Sequence, residues 1–195
     1  LPRLILFVLV LLTCCTVSLP AQPVPQAPKL VAPFKLQLKY PFTKHESMQC
    51  GRWGSGSQDY PYFGAPRNGG RRRHAGVDLY PSGGAGTVVV AVQHGVVRRV
   101  APFYKRSNGE MTYAILVDHG DISVNYAELK RPTLHSGMAV RQGQPLGRIS
   151  GTRQLHLELY RGGTESWTRG WYGQQPDNLL DPTSLMLELF PKPSR

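Results

Sequence analysis

Residues 153–160 read RQLHLELY, and Leu155, Leu157 and Leu159 alternate with Gln154, His156 and Glu158. A period of two describes a strand with one apolar and one polar face. The polar face carries an amide, an imidazole and a carboxylate in a row. That pattern suits an ordinary solvated face or half of a site. The neighbouring stretches share the texture. TVVVAV (87–92), GVVRRVA (95–101), TYAILVDH (112–119), ISVNYAEL (122–129) and PLGRIS (145–150) are short runs rich in β-branched and aromatic residues, separated by glycine-containing turns. Short strands at this spacing predict an all-β fold, with an antiparallel β-sheet core or sandwich. Only the tail, PDNLLDPTSLMLELF, offers a short helix.

Upstream of His74 the texture differs. FKLQLKY (34–40) alternates and predicts a strand, whereas residues 41–73, rich in Gly, Ser, Arg and aromatics, predict a long loop. In that loop Trp53, Tyr60, Tyr62 and Phe63 are expected to form a satellite apolar cluster rather than a lid. Residues 22–34 hold closely spaced prolines and read as an extended linker. At the start, Arg3 and the apolar run LILFVLVLL precede small residues. This is the pattern of a secretory signal peptide over 1–21, with lipidation as the weaker alternative and a run too short for a comfortable membrane span. The expected organisation is therefore signal (1–21), linker (22–34) and one β domain (35–190, core 64–184). The chain is expected to be exported to the periplasm, cell envelope or extracellular space.

Charge and cysteine content agree with export. The formal net charge is +11 across 195 residues, which favours anionic surfaces. No nucleic-acid-binding signature accompanies it. Cys14 and Cys15 fall in the expected signal, leaving Cys50 alone. Without a partner Cys50 cannot form an internal disulfide, and it is either a buried small hydrophobe or a free thiol.

Of the six histidines, His74 and His156 have company. His74 stands four residues before Asp78 in HAGVDLY, and the two can meet one ion if the chain bends at Gly76. Alone, the pair reads equally as a surface histidine with a solvated aspartate. His156 supplies a third donor, and Glu158 beside it can hold the second ring nitrogen. Two histidines and an aspartate leave a fourth position open, as catalytic rather than structural zinc sites do.

In order along the chain, these segments resemble the M23 peptidases, the LytM or lysostaphin-type zinc endopeptidases. FGAPRNGGRRRHAGVDLYPSGGAGTVVVAVQHGVV is similar to the family's opening, where H-x-x-x-D supplies two zinc ligands. AILVDHGDISVNYAEL resembles the segment ending in Tyr-Ala-His-Leu. VRQGQPLGRIS resembles the K-x-G-Q-x-I-G turn and strand, QLHLELY sits where the family has H-x-H-x-E, and LLDPTSLM resembles the closing D-P segment. The resemblance implies an antiparallel β fold with one Zn2+ in a groove, held by His74, Asp78 and His156. It also shows two departures. Glu128 and Gln154 stand where the family places histidines that flank the reactive water. The chain is therefore expected to bind zinc while being impaired in catalysis, acting by binding or regulation on peptidoglycan or another anionic extracellular polymer, as a monomer. The alternative is an active endopeptidase in which Glu128 assists the water.

Overall fold

The computed structural model describes residues 29–54 and 57–191. In chain order the elements are α1 (Lys44–Gln49), β1 (Pro66–Arg67), β2 (Arg72–Arg73), β3 (Val77–Leu79), β4 (Val88–Val90), β5 (Gly95–Lys105), β6 (Met111–Asp118), β7 (Ile122–Leu129), β8 (Ala139–Val140), β9 (Pro145–Arg148), β10 (Leu155–Arg161), β11 (Trp171–Tyr172), β12 (Leu179–Leu180) and α2 (Thr183–Leu189). Every strand pair is antiparallel, so the expected fold class holds. The main sheet runs β12–β10–β7–β6–β5–β8, with β3 also on β10. Two small sheets, β1–β2–β11 and β4–β9, complete the structure.

The alternation in β10 decides how the sheet packs. Leu155, Leu157 and Leu159 enter the main core with Val77, Val117 and Tyr126. Burying each leucine contributes roughly 1.5–3 kcal/mol. The opposite face carries His156, Glu158 and Tyr160, which are buried as well. Phe103 of β5 stacks on the His156 ring at 5.4 Å between centroids, and Trp167 and Trp171 pack near Tyr160. The polar face is thus the floor of a groove rather than a solvated surface. β5 pairs with β8 at Gly95 and Val96 and exchanges further backbone bonds with Gly137 and Met138 through Val97. Farther along, a strand edge tolerates Pro102, which has no N–H to donate.

Upstream, the structure differs from the expectation in three places. FKLQLKY forms no strand, only an isolated bridge between Leu38 and Pro81. Its backbone bonds run from the Lys39 N–H to the Tyr80 carbonyl at 2.7 Å and from the Ser82 N–H to the Gln37 carbonyl at 2.8 Å. The end of the proline-rich stretch packs on the domain: Phe34 is buried in the core, and the N–H of Val31 reaches the Val92 carbonyl at 2.9 Å. The domain therefore begins before residue 35. Within 41–73 lie the short helix α1 and the strands β1 and β2, and Cys50 is exposed. Trp53 and Tyr60 form the satellite cluster with Tyr40, Tyr62 and Tyr80. The expected signal segment 1–21 lies outside the described residues. Among those described, no helix is long and apolar enough to cross a membrane.

Candidate metal centre and groove

β3 and β10 bring the three expected donors together. Asp78 is the direct cross-strand partner of His156, and His74 lies just ahead of β3. Gly76, between His74 and Asp78, matters through close approach rather than a bend. A Cβ there would stand 2.1 Å from the Leu157 carbonyl oxygen. Any other residue would push β3 off β10 and separate the donors.

The donor atoms form a small triangle. His74 Nε2 is 3.0 Å from His156 Nδ1 and 3.2 Å from Asp78 Oδ1, and the third side is 2.9 Å. A tetrahedral ion with bonds of about 2.0–2.1 Å spaces its ligand atoms about 3.3 Å apart, close to these sides. The outer nitrogens fix which atoms carry lone pairs. His74 Nδ1 donates to the Tyr62 carbonyl at 2.9 Å, so its Nε2 is free to ligate. His156 Nε2 donates to Glu158 Oε1 at 3.0 Å, so its Nδ1 is free. Glu158 is itself held by Asn125 Nδ2 and the Tyr160 hydroxyl, each at 2.8 Å. Three lone pairs aimed at one point repel unless a proton or cation lies among them. The residues therefore fit a divalent metal of the zinc type, and this group is the three-residue set among the described residues that has the spacing to hold an ion.

The titration of these groups follows from the same contacts. Burial pushes the Asp78 carboxyl up, but His74 and His156 outweigh it and hold the group well below the usual range. Burial lowers His74 despite Asp78. It also acts to lower His156, but the carboxylates of Asp78 and Glu158 raise that group to about 10. Without a metal, then, a proton occupies His156.

Glu128 and Gln154 lie in the same groove, whose volume is about 900 Å3. Glu128 is the extra residue of a bulge: β6 and β7 pair Tyr113 with Leu129 and Ala114 with Ala127, skipping it. Its φ is 67°, a conformation that costs a residue bearing a Cβ on the order of 1 kcal/mol. The bulge re-aims the side chain toward the groove. Gln154 Nε2 donates to Glu128 Oε1 at 3.1 Å, while Oε2 is buried without a hydrogen-bond partner. Burial, then the nearby Asp78 charge, raise this carboxyl to about 7. Glu128 is not part of the donor triangle.

Several groove residues escape a reading of the sequence. Arg67 donates to the Tyr60 carbonyl at 2.7 Å and to Asp78 Oδ2 at 3.4 Å, joining the aromatic cluster to the donor set. Phe103 and Tyr104, on β5, line the wall. Asn125, which donates to Glu158, carries no motif in the sequence. Nothing in the sequence marks the Tyr62 carbonyl, because backbone acceptors carry no residue signature.

Residues 72–167 match the family model described as Peptidase family M23, and the chain belongs to that family. Among solved structures it is similar to a peptidase M23 from Pseudomonas aeruginosa, with 20% identity over 70% of this chain and 46% of that one, at a TM-score of 0.43. Lysostaphin shows 22% identity over 68% of this chain and 51% of its own, at 0.44. A chain of the SpoIIQ–SpoIIIAH pore-forming complex shows 16% identity over 80% and 89%, at 0.48. This chain thus spans about half the length of the first two. None of the curated proteins matches it.

Proposed function

We propose that the chain is an exported zinc-binding M23 domain that holds a peptide segment of the cell wall in its groove, with peptide hydrolysis strongly impaired. Bound zinc supplies Lewis acidity toward a carbonyl and lowers the pKa of a coordinated water to about 7. His74, Asp78 and His156 would hold it, with Tyr62 and Glu158 fixing the two imidazoles. The observation that carries the impairment is the Gln154–Glu128 hydrogen bond. The two positions where the resemblance expects histidines are tied to each other. An amide has no usable proton affinity, and loss of general acid–base assistance costs about 10²–10⁴ in rate.

One observation favours the second reading, an active endopeptidase. Glu128 Oε2 is unpartnered and the carboxyl titrates near neutrality, which suits a general base. Incubation of the zinc-loaded protein with purified peptidoglycan separates the two. Co-sedimentation without release of soluble muropeptides is expected. Release that His74→Ala abolishes would establish the enzyme reading.

A further inference from the structure

On one side of the donor triangle the groove is built from arginine. β1, β2 and β11 form one small sheet, and its register sets Arg67 opposite Arg72 and Arg72 opposite Tyr172. All three line the groove. Like charges directly across an antiparallel pair are destabilising, yet two guanidinium groups stand there. Arg67 is satisfied by Tyr60 and Asp78. Arg72 is not: its Nη1 donates to the Arg169 carbonyl, and among the described residues neither Arg72 nor Arg169 forms an ion pair.

Arg169 is presented with comparable care. Its φ is 60°, in a turn closed by the Gly170 N–H on Thr168 Oγ1 at 3.0 Å. Its guanidinium lies over the Phe103 ring at 5.4 Å, the ring that stacks on His156, and its Nη2 donates to the Pro102 carbonyl at 3.0 Å, leaving its other donors without an ion-pair partner. A Cβ at Gly170 would stand 2.4 Å from the Arg73 carbonyl oxygen, so glycine there lets the turn that carries Arg169 close on β2 beside Arg72.

The arginines and Glu128 line the same groove from different elements: Glu128 from the bulge of β7, Arg72 from β2. Gln154, bonded to Glu128, immediately precedes β10. The segment carrying Arg169 is anchored on β10, where the Thr168 N–H meets the Tyr160 hydroxyl at 2.8 Å. An extended chain lying in the groove would meet two guanidinium groups that carry no ion pair. We infer that Arg72 and Arg169 form a subsite for a carboxylate of the bound peptide. Arginine forks pair with carboxylates through parallel N–H donors, whereas the Glu128 carboxylate in the same groove repels one. This inference rests on the reading of the groove as a peptide site.

The test is isothermal titration of the full zinc-loaded chain with acetyl-Gly-Glu-Gly-Glu-Gly-amide and its glutamine counterpart. The glutamate peptide is expected to bind roughly ten- to hundredfold more tightly. The pair Arg72→Gln with Arg169→Gln should erase that preference while leaving zinc content unchanged. Arg169→Gln alone, at an exposed turn outside the sheet, should lose part of it, and Arg141→Ala, away from the groove, should keep it. Equal affinities in the wild type, no binding of either peptide up to about 1 mM, or a preference that survives the double variant would overturn the subsite. So would tighter binding of heparin through the same two arginines. A protein that binds zinc but shows no preference loses only the subsite. A preference retained in protein that binds no zinc would instead leave the subsite standing and remove the metal reading.

Discussion

Gln154, immediately ahead of β10, and Glu128, in the bulge of β7 and 26 positions away in sequence, close on each other through a 3.1 Å hydrogen bond. The bond occupies one carboxylate oxygen and leaves the other bare inside the groove. Its partners stand where the family resemblance expects histidines. On the function proposed above, the pair decides whether the groove only holds a peptide or also cuts one.

Replacing both residues tests that statement. Glu128→His with Gln154→His should raise hydrolysis of a glycine-rich peptide by about 10²–10⁴, the usual worth of general acid–base assistance. Histidine is among the residues that tolerate a positive φ, so the bulge at 128 should persist. Mass spectrometry of the peptide checks the outcome. No gain in a folded, zinc-loaded variant would mean that these positions do not limit the chemistry.

The bare oxygen also has a thermodynamic consequence in metal-free protein. The folded-state pKa of Glu128 lies at about 7, above its ordinary 4.5, so folding disfavours the ionised form. The destabilisation is absent below about pH 4.5, grows between 4.5 and 7, and is complete above 7. Its ceiling is about 3 kcal/mol. Urea unfolding of wild type and Glu128→Gln across this range should show the variant gaining relative stability as pH rises. A constant difference would contradict the burial argument.

Gly76→Ala should be severe. The added methyl would meet the Leu157 carbonyl at 2.1 Å, and β3 cannot retreat without dragging Asp78 from His156. A loss of about 3 kcal/mol or more is expected, together with weakened zinc binding, read by thermal unfolding and metal analysis. Wild-type stability and zinc content would show that the strands do not need this approach.

Glu158→Gln isolates the support of the metal centre. The carboxylate takes the outer proton of His156 and has no place in the donor triangle. Its loss should weaken zinc binding about 10–100-fold while leaving the stoichiometry intact. Competition with a fluorescent zinc chelator measures this. Unchanged affinity would reduce Glu158 to a packing role.

Much of this was legible in the sequence, for reasons that differ from residue to residue. The alternation of Leu155, Leu157 and Leu159 is enforced by strand geometry, so β10 and its antiparallel neighbours could be read directly. The His74–Asp78 spacing pointed to the metal centre, but the role of Gly76 did not follow from it. A close approach depends on which strand lies opposite, and that is a tertiary fact. FKLQLKY misled because alternation reports a face and not a partner, and the only pairing it finds among the described residues is the bridge at Leu38 and Pro81. Nothing in the sequence gathers the arginines at 67, 72 and 169; the small sheet and the turn at Thr168 do.

The central claim is that His74, Asp78 and His156 bind one zinc ion, and the direct measurement is metal stoichiometry by mass spectrometry. Protein saturated with zinc and dialysed without chelator at pH 7.5 should retain about one equivalent, whereas His74→Ala should retain less than about a tenth, because each ligand is needed for a closed donor set. Retention should fall as pH drops, since protons compete for both imidazoles. Less than about half an equivalent in the wild type, or equal zinc in the wild type and His74→Ala, would contradict the account.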